Sequence, residues 1–418
     1  MKYLTTIIIL LFICLVLTEY SCSPSEKDNL ILQLLRNRPD LFQQVLENPK
    51  EFRLQILYTQ INRDQNNFPQ FVSYSYRVNE RNYFYPASTV KLPAALLALE
   101  KLNNLAIPGL DKFTPLKIDS AFSGQTRVQV DTTAADSLPI IAHYIKKIFL
   151  VSDNDAYNRL YEFLGQQYIT ETLRQKGYQH THLVRRLERA LSPEENRSTN
   201  PFTFYQSDQI IYQQPLIINP NSYRLDMRDI RQGKGYYKND ELINQPMDFS
   251  NSNYFSVPDQ QAILKSVFFP DAVPEICRFN LTEDDYRFVF TYMGLRPRES
   301  EITAYHDTTE YYDGYVKFFM FGDTREPIPS SIRIFDKCGE SYGYLIDNAY
   351  IVDFEKEIEF LLTAVIQVNQ DQIYNDDKYE YDEIGFPFLA NLGRVIYEYE
   401  VKREREFSPD LTRFQLFN

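Results

Sequence analysis

The stretch from Tyr85 to Leu102 constrains this chain most. It reads Tyr-Pro-Ala-Ser-Thr-Val-Lys-Leu-Pro-Ala-Ala-Leu-Leu-Ala-Leu-Glu-Lys-Leu. From Leu92 onward, leucines recur three or four residues apart on an alanine background, which predicts a buried helix. Pro86 and Pro93 suit the approach to that helix and its first turn. Ser88 then lies at or near the helix N-terminus, where the dipole and free backbone N–H groups favour developing negative charge. Lys91 returns to the same face after nearly one turn, so its amine can reach the Ser88 hydroxyl. That places a nucleophile beside a possible base, but a Ser-x-x-Lys spacing arises about once by chance in a chain of this size. Only partners elsewhere in the sequence give it meaning.

The chain has 418 residues, enough for one large or two ordinary domains. A 44% hydrophobic fraction and 15% aromatic fraction argue for a folded protein. Its net charge of −13, from 57 acidic and 44 basic residues, leaves no basic footprint for a nucleic-acid backbone. At the N-terminus, Lys2 precedes an apolar run from Leu4 to Leu17 that is short for a bilayer span and is followed at once by polar residues. This has the form of a secretory signal. Cys22, between Ser21 and Ser23, resembles the lipid-acceptor cysteine of a bacterial lipoprotein, although Glu19 and Tyr20 depart from the usual approach. Residues 1–22 are therefore expected to be a lipoprotein signal peptide, with the product exported and anchored by lipid in the periplasm, at the outer membrane or on the cell surface. Once the leader is removed, Cys277 and Cys338 remain, and both are expected as free thiols.

Along the chain, residues 27–48 read as one amphipathic helix, followed by strand-like runs from Phe52 to Ile61 and Phe71 to Asn79. Helices are predicted over Ala135–Phe149, Asp155–Gly165, Ile169–Lys176, Pro258–Val267 and Thr282–Met293. Residues 192–256 show little periodicity and read as a long ordered insertion whose aromatics pack on the surface. Late strands are predicted at Tyr315–Phe321, Ser331–Cys338, Gly343–Val352 and Glu359–Val368, before a closing helix from Phe386 to Lys402. The fold class that follows is α+β. One domain is built from both chain ends, 23–85 and 301–418, and is interrupted by a helical domain over 86–300 that includes the insertion.

Two later elements bear on Ser88. Ser152-Asp153-Asn154 punctuates a helix–helix turn, and Asp336-Lys337-Cys338-Gly339 sits on a late strand. Taken separately, the first is a good helix cap and the second a strand edge. In this order and context, Ser-x-x-Lys, Ser-Asp-Asn and Lys-small-Gly resemble the signature set of class A β-lactamases and penicillin-binding proteins over roughly residues 50–405. The resemblance implies a β-lactamase/transpeptidase-like fold, with an antiparallel sheet flanked by helices and an inserted all-helical domain. It also implies an acyl-enzyme on Ser88. Lys91 would take the Ser88 proton and Ser152 would relay it to the leaving nitrogen. Asn154 would hold the substrate amide, and Lys337, Cys338 and Gly339 would face the substrate, Gly339 leaving room for it along the strand. The backbone N–H groups of Ser88 and Glu340 would form the oxyanion hole.

Two departures stand out. Cys338 occupies a position where the family usually has Thr or Ser, and a thiol is a weaker donor. In the family, a glutamate on the loop after the Ser-Asp-Asn helices deacylates through a water. Here Leu191 stands at the position expected for it, with Glu188, Glu194 and Glu195 nearby and no spacing rule to choose among them.

Two other motifs lead nowhere. Gly339-Glu340-Ser341-Tyr342-Gly343 matches a nucleophile elbow, but a strand follows it and no histidine lies beyond His306. His180 and His182 lack a third metal ligand nearby.

The expected activity is class A-type hydrolysis of β-lactam amides by a serine hydrolase. The alternatives are a D-alanyl-D-alanine peptidase-like enzyme acting on cell-wall peptides and a non-catalytic envelope-binding protein that retains the fold. No metal, cofactor or nucleic acid is expected, and the chain is expected to be a monomer whose partners are a small β-lactam or a peptidoglycan peptide.

Overall fold

The computed structural model describes residues 29–122 and 124–416. The leader and Cys22 lie outside the described residues. The predicted N-terminal helix is two helices, α1 (Leu30–Arg36) and α2 (Pro39–Glu47). Pro39 disfavours helical backbone at the residue before it, and Arg38 leaves the helix at φ −127°, ψ 63°.

Six antiparallel strands form the central sheet. The predicted hairpin pairs β1 (Gln55–Arg63) with β2 (Pro69–Tyr76), Tyr58 opposite Tyr74. The late strands are β3 (Ile332–Asp336), β4 (Gly339–Ser341), β5 (Tyr344–Asp353) and β6 (Ile358–Gln367). The order across the sheet is β3-β5-β6-β1-β2, and β4 also pairs with β5. The edge strand is thus interrupted at Lys337 and Cys338, where the Lys337 N–H still donates to the Asn348 carbonyl at 3.1 Å.

Each face of the sheet buries a different set of helices. On one face, Ile56, Tyr58, Ile334, Phe360 and Leu362 pack with Phe42 of α2 and with Phe388 and Leu392 of the closing helix, Phe386–Lys402. On the other, Ile61, Phe335, Tyr350 and Leu361 join the core of the middle region. At the centre of that region is α3 (Lys91–Leu105), where Leu92, Ala94, Leu96 and Leu97 are fully buried. A helix that is apolar all round must be enclosed on every side. Around it lie α4 (Ile141–Val151), α5 (Asn154–Leu164), α6 (Gln166–Gln175), α7 (Val257–Phe268) and α8 (Glu283–Gly294). The first of these starts six residues later than predicted, because Pro139 and a turn with Ser137 at φ 59° precede it.

Two further expectations change. Tyr315–Phe321 is not a strand. Its end forms a tight turn, Phe318–Phe321, whose first N–H groups, those of Phe318 and Phe319, both donate to Asp347 Oδ2 at 3.0 Å. The middle region is also not all helical. Its insertion carries the hairpin Phe202–Gln206/Gln209–Gln214 beside Leu116–Ile118, and Tyr254–Phe255 pairs with Thr181–His182. Phe249 and Tyr254 from the insertion are buried, in a cluster with Tyr83, Phe84, Tyr344 and Tyr374. The aromatics of the segment are therefore partly core, which explains why a stretch of weak periodicity is ordered.

Candidate active site

Ser88 lies in a short 3₁₀ turn, Ala87–Val90, that leads directly into α3, with Lys91 as the first α-helical residue. Thr89 closes the turn, its hydroxyl donating to the Pro86 carbonyl at 2.7 Å. Ala87 is held at φ 47°, a left-handed conformation that costs a residue with a Cβ and marks a backbone constrained by its surroundings.

The Ser-Asp-Asn turn divides its labour. Ser152 caps α4 at φ 58°, and Asp153 caps α5, accepting from the Ala156 N–H at 2.6 Å. Capping by Asp153 leaves Asn154 free to face inward. The Lys91 amine meets all three parts of the arrangement: Ser88 Oγ at 2.8 Å, Ser152 Oγ at 3.1 Å, Asn154 Oδ1 at 2.6 Å, and the Ser152 carbonyl. Lys91 is fully buried. Burial pushes its pKa well below the usual lysine range, and the charge of Lys337 pushes it further in the same direction. The Lys337 charge thus reaches Lys91 although 246 positions separate their numbers, 337 and 91. Lys337 is 2% exposed, and its amine donates to the Cys338 carbonyl at 2.9 Å.

Of these groups, Ser88 and Asn154 border a cleft of about 350 Å³ that is also lined by Tyr85, Arg185, Glu188, Glu340 and Tyr342, among others. A second cavity of about 490 Å³, around Arg53, Gln367 and Tyr374, has no serine, threonine, cysteine or histidine in its lining.

Gly339 packs against the backbone of Ser88. A Cβ there would stand 2.8 Å from Ser88 N, so the glycine is needed for the close approach of β4 to the 3₁₀ turn, more than for a substrate lying along the strand. The next residue, Glu340, lies on the edge strand and lines the cleft. Cys338 is 2% exposed and belongs to the apolar cluster beneath the sheet, with Phe318 and Leu345. Burial pushes its thiol well above the usual range. Both Cys338 and Cys277 are free.

Among the three loop glutamates, Glu188 alone lines the cleft. Its backbone is left-handed at φ 52°. Glu195 is occupied by a capping box with Ser192, accepting from its N–H at 2.7 Å, and Glu194 is an exposed partner of Arg197 at 3.4 Å. Spacing in the sequence could not separate the three; a helix-capping signal at Ser192 was there to remove Glu195. His180 pairs with Glu80 at 3.1 Å, while His182 is buried and its pKa is pushed down to about 4. No cluster of three metal-ligating side chains occurs among the described residues.

Residues 42–229 match the family described as the beta-lactamase enzyme family. No curated protein matches the chain. Among solved structures, the chain is similar to an ancestral class A β-lactamase at 15% identity, covering 86% of this chain and 99% of that one with a TM-score of 0.46. It is also similar to a β-lactamase from Xanthomonas campestris at 14% identity, covering 88% and 98% with a TM-score of 0.49. A β-lactamase from Burkholderia phymatum aligns at 14% identity over 89% of this chain and all of that one, with a TM-score of 0.47.

Proposed function

We propose that this chain, with the β-lactamase enzyme family spanning its residues 42–229, is a serine hydrolase that opens β-lactam amides through an acyl-enzyme on Ser88. The observation that supports the reading best is the set of four oxygens around the Lys91 amine. An ammonium has three N–H bonds to give and a neutral amine has two. The Ser152 carbonyl and Asn154 Oδ1 can only accept, and they use both donors of a neutral amine. Its lone pair is then left for a hydroxyl, and Ser88 Oγ is the nearer of the two. A lysine whose pKa is held down by burial and by Lys337 suits a general base.

In the acylation step, Lys91 takes the Ser88 proton as Oγ attacks the amide carbonyl carbon. The backbone N–H groups of Ser88 and Glu340 stabilise the oxyanion. As the carbon–nitrogen bond breaks, the proton passes from Lys91 through the Ser152 hydroxyl to the leaving nitrogen. Asn154 positions the amide of the acyl part, and Lys337 attracts the substrate carboxylate. In deacylation, Glu188 takes a proton from a water that attacks the ester carbonyl, and as the carbon–Oγ bond breaks that proton passes on to Ser88 Oγ, restoring both the hydroxyl and the carboxylate. Its place in the cleft favours Glu188 over Glu194 and Glu195. The apolar N-terminal run and Cys22 support export and lipid anchoring.

The test is intact-protein mass after mixing with benzylpenicillin, followed over time. The expected result is an adduct on Ser88 that decays with turnover and is missing in Ser88→Ala. An adduct that persists for hours would assign the chain to the peptidase-like alternative, and no adduct on the unaltered protein would remove the acyl-enzyme reading.

A further inference from the structure

The cleft has a cation that the reaction above does not use. Arg185 lines it together with Tyr85, Tyr342 and Ser88. Its neighbour Arg186 is neutralised by Glu162 at 2.8 Å. Arg185 has no carboxylate within ion-pair distance among the described residues, and its guanidinium makes one long hydrogen bond, to the Arg189 carbonyl at 3.4 Å. Its backbone, by contrast, is pinned. The Arg185 N–H donates to Asn253 Oδ1 at 3.0 Å, and its carbonyl accepts from Asn253 Nδ2 at 3.2 Å and from the Tyr157 hydroxyl at 3.3 Å. Asn253 is fully buried. A rigid backbone therefore presents an unpaired arginine to the cleft.

The surroundings place that arginine relative to the reaction. Arg185, Tyr85 and Tyr342 share one lining, and the Arg185 charge opposes the rise that burial gives both phenols. The two rings meet edge to face at 4.9 Å and make a firm wall. Ser152 and Lys337, which mark the leaving-group side, are not in this part of the lining. Glu188 and Glu340 also face the cleft, but neither forms an ion pair with Arg185.

We propose that Arg185 forms an anion subsite for a carboxylate on the acyl portion of the substrate, so that the preferred substrates carry two anionic groups, one at Lys337 and one at Arg185. This rests on the acyl-enzyme reading of Ser88. Arginine suits the role because its fork can bind a carboxylate through two parallel hydrogen bonds. A phenol wall beside it adds donors and excludes water.

The experiment compares the acylation rate of Ser88 by three penicillins: benzylpenicillin, carbenicillin, which adds one carboxylate to the same side chain, and a carbenicillin ester that masks it. The carboxylated compound is expected to acylate on the order of tenfold faster than the other two, an advantage that shrinks as salt is raised. In Arg185→Gln the carbenicillin-to-benzylpenicillin ratio is expected near one, and Arg185→Lys is expected to keep part of the preference. Equal rates in the unaltered protein, or a preference that survives in Arg185→Gln, would overturn the subsite. The ester and salt comparisons need no variant, so they hold even if Arg185→Gln fails to fold. Labelling by benzylpenicillin with a ratio of one overturns the subsite alone, whereas no labelling by any of the three overturns the acyl-enzyme reading and the subsite with it.

Discussion

A Cβ on Gly339 would stand 2.8 Å from the backbone nitrogen of Ser88, with Ala87 Cβ and the Pro86 carbonyl each at 3.0 Å. The strand after Lys337 and the turn that holds Ser88 are thus in backbone contact. Gly339→Ala is expected to push them apart and misplace the proposed oxyanion donors. Acylation by benzylpenicillin should fall by about 10²–10³-fold, the cost of losing one such donor. The stability loss should be only about 1–3 kcal/mol, as for other overpacked sites. Rapid-mixing mass spectrometry and urea unfolding read the two effects separately.

Lys91 has a pKa well below its ordinary 10.5, through burial and then through Lys337. Between its folded pKa and 10.5 the unfolded chain binds more protons than the folded one at this site, so this term makes stability rise with pH across that window. Lys91→Met should flatten the rise. Lys101, pushed down to about 7, and Lys265, pushed down to about 8, contribute equally to both proteins and cancel in the difference. Urea unfolding at a series of alkaline pH values checks this, and the same variant should lose the ascending limb of the acylation profile.

Glu188→Gln is expected to prolong the acyl-enzyme by about 10²–10⁴-fold, the usual worth of a positioned general base, with a much smaller effect on its formation. Glu194→Gln should leave the lifetime unchanged, since that carboxylate is an exposed partner of Arg197. The decay of the Ser88 adduct, measured by mass, distinguishes the two.

Lys317 and Asp336 form a buried pair at 2.5 Å, each side chain no more than 2% exposed. Burial raises the pKa of Asp336, and that of Asp347 rises well above the usual range through burial and the nearby Asp336 charge. Lys317→Met would leave Asp336 charged and unpaired, at a cost of about 3–5 kcal/mol. Protonating the carboxylate relieves that cost, so the gap between variant and unaltered protein should narrow as pH falls. Chemical denaturation at neutral and acidic pH measures the gap.

Some of this was readable before any coordinates. The closing helix from Phe386 to Lys402 has its predicted bounds, and the β1–β2 hairpin and the α3 helix follow from spacing alone. Other elements were not readable. Tyr315–Phe321 has the composition of a strand, yet its end is a turn because a carboxylate from the distant strand β5, that of Asp347, takes two of its N–H groups. The insertion looked like surface because its aromatics show little periodicity, yet two of them, Phe249 and Tyr254, are buried with Tyr83 and Tyr344 from other parts of the chain.

The amino-acid order by itself determined the reactive groups and their local settings: a serine and a lysine on one turn, a Ser-Asp-Asn helix junction, and a lysine and glycine on a late strand. These are short-range matters of helical pitch, capping and strand period. Only the tertiary structure decided that Asp153 caps while Asn154 turns inward, which of three glutamates reaches the cleft, that Cys338 faces the core, and that Arg185 shares the cleft with Ser88. Those outcomes depend on desolvation and on distances between segments far apart in sequence, and neither quantity is a property of any local stretch of residues.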